Sequence, residues 1–114
     1  MISNPTRRAA IYARYSTDLQ SDASIEDQFR ICRRLIEGHG WTVAENYADA
    51  ALSGASLLRP DYQRLLADAR TGRFDVVVAE GLDRFSRDQE HIAAFYKQMS
   101  FHGIPVVTVA EGEI

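Results

Sequence analysis

Two short motifs in this chain place a serine beside arginines, each directly after an apolar segment. The first is Arg14-Tyr15-Ser16 and the second is Arg84-Phe85-Ser86-Arg87. A serine hydroxyl flanked by guanidinium groups, with no histidine beside it, suits attack on an anionic phosphate better than attack on an amide or ester carbonyl. Arginine binds phosphate oxygens through two parallel hydrogen bonds. The residue types therefore predict phosphoryl transfer, with Ser16 as the nucleophile.

Apolar periodicity along the chain predicts strands that alternate with helices, the pattern of a parallel α/β fold. Strand-like apolar runs fall at residues 9–15, 41–47, 74–79 and 104–110. Between them, apolar residues at helical spacing predict three helices, whose inner faces include Cys32, Leu65 and Met99. Each helix is expected to stop at a glycine shortly before the next strand, at Gly40, Gly72 and Gly103.

Two serines are expected to begin helices, because an acidic or amide residue follows each of them three positions later. Ser24 with Asp27 predicts the start of the first helix, and Ser86 with Gln89 predicts the start of the third. Residues 49–60 show neither helical nor strand periodicity, and we interpret them as a loop.

These elements predict a doubly wound α/β domain, with a mostly parallel sheet in the order 2-1-3-4 and helices on its faces. In such sheets ligands bind beyond the carboxyl ends of the strands, where the strand order reverses. Arg14 and Ser16 end the first strand, whereas Asp83, Arg84 and Arg87 follow the third. We therefore expect the two motifs to converge on one cleft.

Composition indicates a single domain of an ordinary intracellular protein. The chain has 114 residues, a net charge of -3 and one cysteine, which excludes an internal disulfide. We interpret residues 1–8 as a flexible tail and 9–114 as the domain. No signal peptide or membrane-spanning run is visible, so we expect a cytoplasmic protein without a membrane partner. The acidic balance argues against tight DNA binding by this segment alone, because that affinity comes mostly from cations on phosphates.

The two motifs, with a helix start between them, resemble the catalytic domain of the serine recombinases, the resolvase and invertase family. The resemblance covers about residues 9 to 110 and rests on Tyr12-Ala13-Arg14-Tyr15-Ser16-Thr17-Asp18-Leu19-Gln20, Ser24-Ile25-Glu26-Asp27-Gln28 and Leu82-Asp83-Arg84-Phe85-Ser86-Arg87-Asp88. The second of these segments and the continuation Asp88-Gln89-Glu90 are more similar to the large, integrase-like branch. The resemblance implies that Ser16 attacks a DNA phosphodiester to give a 5′-phosphoserine and a free 3′-hydroxyl, and that strand exchange reverses the step.

The resemblance also implies roles for further residues. The matching positions are Arg14, Arg59, Arg84 and Arg87 for the phosphate-site arginines, Gln28 for the site glutamine, Asp83 for the site carboxylate and Asp49 for a further acidic position. No cofactor or metal ion is expected, since arginines take that place. DNA is the expected partner of the full-length protein, which is expected to form a homo-oligomer, a dimer or a tetramer. Because the family continues into a long oligomerisation helix and a DNA-binding region, we interpret the chain as a truncated catalytic domain.

Several simpler interpretations stay open from the residues alone. Ser16 is compatible with an ordinary turn, Arg59 with a surface charge and Gln28 with an amide on a helix surface. The main functional alternative is a noncatalytic, DNA-associated regulatory domain of the same fold. A flavodoxin-like nucleotide-binding module is a third possibility, although no glycine-rich loop supports it.

The fate of the serine proton is also open. No histidine is placed to accept it, so the sequence does not assign a base. We interpret Asp83 as orienting Arg84 or Arg87 rather than as taking that proton.

Overall fold

Five strands and three α-helices make up the part of the chain that the computed structural model describes, residues 6–14, 22–49, 59–86 and 88–114. The strands are β1 Arg8–Arg14, β2 Thr42–Asp49, β3 Val76–Ala79, β4 Val106–Thr108 and β5 Gly112–Glu113. The helices are α1 Asp22–Gly38, α2 Pro60–Arg70 and α3 Gln89–Phe101, and a 3₁₀ turn at Leu82–Arg84 lies between β3 and α3. None of the helices in these ranges is both long enough and apolar enough to cross a membrane.

The sheet has the strand order β2-β1-β3-β4-β5. β1 is parallel to β2 and β3, and β3 is parallel to β4, which confirms the predicted order. β4 is shorter than the predicted strand at 104–110, and β5, which is antiparallel to β4, was not predicted because no strand pattern follows residue 110. β4 ends at Thr108, whose hydroxyl donates to Glu111 Oε1 across a turn at 2.6 Å. Gly112, with φ of 80°, then reverses the chain.

Alternate residues of the central strands enter separate cores on the two faces of the sheet. Ala10 and Tyr12 pack on the face covered by α2 and α3, whereas Ala9 and Ile11 pack on the face covered by α1, beside Cys32. β3 is buried along its whole length, as its continuous apolar sequence predicted. This arrangement holds the carboxyl ends of β1 and β3 side by side, where the two motifs begin.

The glycines predicted to follow the helices do so. Gly40, Gly72 and Gly103 have φ of 76°, 75° and 73°, a left-handed conformation that costs other residues conformational energy. Each precedes a strand, which confirms the predicted helix-to-strand junctions.

The predicted helix starts, in contrast, are wrong. α1 begins at Asp22, two residues before Ser24. α3 is capped by Asp88 and not by Ser86, because Asp88 Oδ1 accepts the Glu90 N–H at 2.8 Å. Ser86 Oγ accepts the Asp88 N–H at 3.0 Å instead, so this serine ends the connection from the 3₁₀ turn and does not begin the helix.

β2 lies at the edge of the sheet, as predicted, and is longer than predicted. Exposed and partly buried residues alternate along its first half, which is typical of an edge strand. It continues to Asp49, so this residue belongs to the sheet and not to the loop. At the other end of that predicted loop, Pro60 is the first residue of α2. Residues 50–58 lie outside the described residues.

Candidate active site

Arg14 is the last residue of β1, and Gln28 fixes its backbone. The Arg14 N–H donates to Gln28 Oε1 at 3.1 Å, and Gln28 Nε2 donates to the Arg14 carbonyl at 3.1 Å. The Gln28 side chain belongs to α1 and is 2% exposed. Gln28 is therefore no helix-surface amide. Its amide pairs with the strand backbone as a neighbouring strand would, and it holds the end of β1 against α1.

The side chains of Arg14 and Arg84 cross, and each binds the backbone of the other motif. Arg14 Nε donates to the Arg84 carbonyl at 2.8 Å, and Arg14 Nη2 donates to the Asp83 carbonyl at 3.1 Å. In return, Arg84 Nη1 donates to the Arg14 carbonyl at 2.9 Å. Arg14 and Arg84 lie 70 residues apart in the chain, so the predicted convergence is confirmed for the described members of the two motifs.

Arg59 brings a third guanidinium to the same place. Arg59 Nη2 donates to the Tyr12 hydroxyl at 3.0 Å and to the Arg84 carbonyl at 3.4 Å. Its guanidinium carbon lies 4.0 Å from the centre of the Tyr62 ring. The backbone of Arg59 has φ of 45°, a left-handed conformation that is uncommon for a residue with a side chain and often marks a functional position. These contacts do not fit a solvated surface charge.

Asp49 joins the start of α2 to Tyr12. Its carboxylate accepts hydrogen bonds from the backbone N–H groups of Asp61 at 3.0 Å and Tyr62 at 2.9 Å. These N–H groups belong to the first turn of α2, where a helix offers them no acceptor of its own. Asp49 Oδ2 also accepts the Tyr12 hydroxyl at 2.7 Å. Both side chains are buried, and burial raises the pKa of Tyr12, although the charge of Arg59 opposes the rise. Asp49 therefore supports the tyrosine that holds Arg59.

Tyr12 connects Asp49 with Arg59, a role that the sequence motifs did not indicate. It is fully buried and stacks on Phe85, with 5.7 Å between the ring centres. A signal was present in the sequence, because a tyrosine in a strand of small apolar residues brings a hydroxyl that needs a partner when buried.

A carboxylate that the sequence analysis did not consider binds Arg84. Arg84 Nη2 donates to Glu80 Oε1 at 2.8 Å. The Asp83 side chain is exposed, and among the described residues no ion pair joins it to Arg84. The interpretation that Asp83 orients Arg84 is therefore wrong. Its alternative, that Asp83 orients Arg87, concerns a residue outside the described part.

Ser16 and Arg87 both lie outside the described residues. The structure therefore brings together Arg14, Arg59 and Arg84, with Gln28 beneath them. Three guanidinium groups converging at the carboxyl edge of a parallel sheet are suited to bind an anion with several oxygens, such as a phosphate. Within the described ranges, no group of three or more histidine, cysteine and acidic side chains is placed to hold a metal ion.

Comparison with known proteins assigns the chain to one family. Residues 9–114 match the family model described as Resolvase, N terminal domain. The chain is also 33% identical over 102 residues to a Bacillus subtilis (strain 168) protein named putative DNA recombinase. This alignment covers 88% of the chain and 20% of the relative, so the chain spans about a fifth of that protein's length. The chain belongs to the resolvase N-terminal domain family.

Solved structures agree with this assignment. The N-terminal catalytic domain of TP901-1 integrase is similar with a TM-score of 0.77 and 34% identity, over 92% of this chain and 78% of that one. The C-terminal catalytic domain of ISC1926 TnpA, an IS607-like serine recombinase, has a TM-score of 0.76 and 25% identity, over 90% and 69%. A resolvase family site-specific recombinase from Streptococcus pneumoniae shares the fold, with a TM-score of 0.79, 22% identity and coverage of 92% and 73%. The predicted family and fold class are confirmed.

Proposed function

We propose that this chain is the catalytic domain of a serine site-specific DNA recombinase, with Ser16 as the nucleophile. The observation that carries the proposal is the convergence of Arg14, Arg59 and Arg84 at the end of β1. Ser16 follows Arg14 by two residues, and two residues of extended chain span at most about 7 Å. This short separation in the sequence supports the assignment of Ser16, beside Arg14, as the nucleophile.

The proposed reaction exchanges one phosphodiester for another. Ser16 Oγ bonds to phosphorus and loses its proton, the bond from phosphorus to the 3′ oxygen breaks, and that oxygen leaves as a protonated 3′-hydroxyl. Attack of a 3′-hydroxyl on the 5′-phosphoserine reverses the step and releases the serine. Negative charge grows on the nonbridging oxygens during attack, and fixed guanidinium donors stabilise it, each worth about 2.7–4 kcal/mol by analogy with oxyanion donors.

The other site residues have supporting roles in this proposal. Gln28 holds the end of β1, while Asp49 holds the start of α2 and, through Tyr12, Arg59. Arg87 and Asp83 are included because the family motif matches them. The substrate is duplex DNA, and the full-length protein acts in the cytoplasm as a dimer or tetramer.

The test is covalent capture of DNA by the full-length protein. The protein is incubated with genomic DNA of its source and denatured in detergent, and the DNA that remains attached through a 5′ end is sequenced. The wild type is expected to yield adducts at a defined sequence, and Ser16→Ala none. Ser86→Ala is the matched control, because Ser86 also lies beside an arginine motif but binds the Asp88 N–H. It should retain the adduct.

The outcomes separate the functional alternatives. Adduct formation by Ser16→Ala at the wild-type rate would contradict the assignment of the nucleophile. Specific DNA binding by the wild type without any adduct would support the noncatalytic regulatory domain instead. Thermal unfolding of each variant shows whether a missing adduct reflects chemistry or a folding defect.

A further inference from the structure

Hydrogen bonds hold the backbone around Glu80 beside the candidate active site. Glu80 directly follows β3, and its carbonyl accepts the Ala110 N–H at 3.0 Å. Two residues later, the Leu82 N–H donates to Glu111 Oε1 at 3.1 Å. The turn between β4 and β5 therefore fixes the backbone on both sides of Gly81, and Glu80 projects its side chain from a defined position.

The Glu80 carboxylate and a backbone carbonyl hold the two ends of the Arg84 guanidinium. Arg84 Nη2 donates to Glu80 Oε1 at 2.8 Å, and Nη1 donates to the Arg14 carbonyl at 2.9 Å. The Arg84 and Glu80 side chains are only 21% and 33% exposed, so salt screens this pair less than a surface pair. Both charges also act on Cys32 beneath them. Burial, helped by the charge of Glu80 and opposed by that of Arg84, raises the pKa of its thiol to about 12.

The orientation of Arg84 decides what it can bind. A guanidinium carries five N–H groups in one plane, and the two contacts described above use one each on Nη1 and Nη2. Arg84 Nε is buried and has no hydrogen-bond partner among the described residues. Within the same residues, one N–H on each Nη nitrogen is thus left for an anion. Two parallel bonds to a phosphate need the guanidinium plane at a fixed angle, which a flexible side chain does not provide by itself.

We propose that Glu80 is a positioning residue that orients Arg84 for the phosphate in the cleavage step. This inference rests on the function proposed above, and it gives Glu80 the role that the sequence analysis gave to Asp83. Glu80 acts through Arg84 and does not touch the phosphate itself. The effect of Glu80 on the rate of cleavage therefore depends on the geometry of its ion pair with Arg84 as well as on its negative charge.

The experiment compares three variants of the full-length protein on the captured DNA site. Glu80→Gln removes the charge, and Glu80→Asp keeps the charge but shortens the side chain by one carbon. Glu45→Gln is the matched control, because Glu45 of β2 forms an exposed ion pair with Arg64 of α2 at 3.1 Å. Single-turnover adduct formation and DNA affinity are measured for each, at a temperature where thermal unfolding shows that all are folded.

Both Glu80 variants are expected to form adduct about 10- to 100-fold more slowly than the wild type, as for a misplaced catalytic group. DNA affinity should be unchanged or tighter in Glu80→Gln, since one negative charge is lost, and Glu45→Gln should cleave normally. Wild-type rates in both Glu80 variants would overturn the inference. Faster cleavage would overturn it too, because the ion pair of Glu80 with Arg84 would then hold Arg84 away from the geometry that cleavage needs. A wild type that forms no adduct would refute the proposed function, and this inference with it.

Discussion

Replacing Tyr12 with phenylalanine removes one hydroxyl from the centre of the arginine cluster and leaves the ring in place. The hydroxyl donates to Asp49 at 2.7 Å and accepts from Arg59 at 3.0 Å. The ring should keep its stacking on Phe85, so no large cavity forms. Asp49 retains two backbone donors and stays satisfied. The main loss is a hydrogen-bonded link between two charged groups.

Hydrogen bonds to charged groups contribute about 1.5–3 kcal/mol, so we expect Tyr12→Phe to lower the free energy of unfolding by about that amount. For a domain of this size it corresponds to a fall in Tm of about 6 to 12 °C. Arg59 keeps its own charge but loses its anchor. Adduct formation should therefore slow by about 10-fold, less than the 100- to 1,000-fold expected when a charge-stabilising donor is deleted outright.

Tyr62→Phe is the matched control for this prediction. Its ring also lies against the Arg59 guanidinium, at 4.0 Å, and among the described contacts its hydroxyl makes no hydrogen bond. We expect it to change the free energy of unfolding by less than about 0.5 kcal/mol. Thermal denaturation and single-turnover adduct formation of both variants are the measurements. Equal effects of the two substitutions would refute the reasoning, because of these two tyrosines only Tyr12 has a hydroxyl that is hydrogen-bonded to Arg59 in the described contacts.

Three further outcomes are expected. The free energy of unfolding should decline as the pH rises above the ordinary tyrosine pKa of about 10. Burial raises the pKa values of Tyr12, Tyr47 and Tyr62, so the folded state favours their protonated forms. Denaturant titrations from pH 8 to 11 should show a smaller decline in Tyr12→Phe than in the wild type. Gln28→Leu should lower the free energy of unfolding by about 1–3 kcal/mol, because the Arg14 N–H loses its acceptor. An unchanged midpoint in urea denaturation would contradict the stabilising role of the hydrogen bonds between Gln28 and the Arg14 backbone. The isolated 114-residue chain, with its net charge of -3, should not bind duplex DNA measurably at physiological salt, and submicromolar binding in a fluorescence anisotropy titration would contradict this.

The sequence predicted those features that local pattern determines. The apolar run that includes Val76 to Ala79 is typical of a buried parallel strand, and Gly72 just before this run ends a helix. The order of the sheet, and the meeting of the carboxyl ends of its strands, followed from this alternation of strands and helices. Choices between neighbouring candidates were not predictable. Ser86 and Asp88 both have side chains that cap helices, and the 3₁₀ turn before them decides between the two.

The partners of the site arginines depended on contacts between distant or competing groups. Asp83 is next to Arg84 in sequence, but the carboxylate that reaches its guanidinium belongs to Glu80, one turn earlier. The pairing of Tyr12 with Asp49 joins neighbouring strands through their register, which apolar periodicity does not specify. The sequence indicates which residue types gather at the site, and packing determines which of them bind each other.

Because Cys32 is buried, a cysteine introduced at the candidate active site could be labelled selectively. Cys32 is the only cysteine in the chain, it is fully buried, and its raised pKa keeps it protonated at pH 8, whereas the thiolate is the form that alkylating reagents attack. Ser16→Cys would therefore carry the one reactive thiol without any change to the native cysteine. A spin label or fluorophore attached there would report the distance from the nucleophile position to DNA in solution.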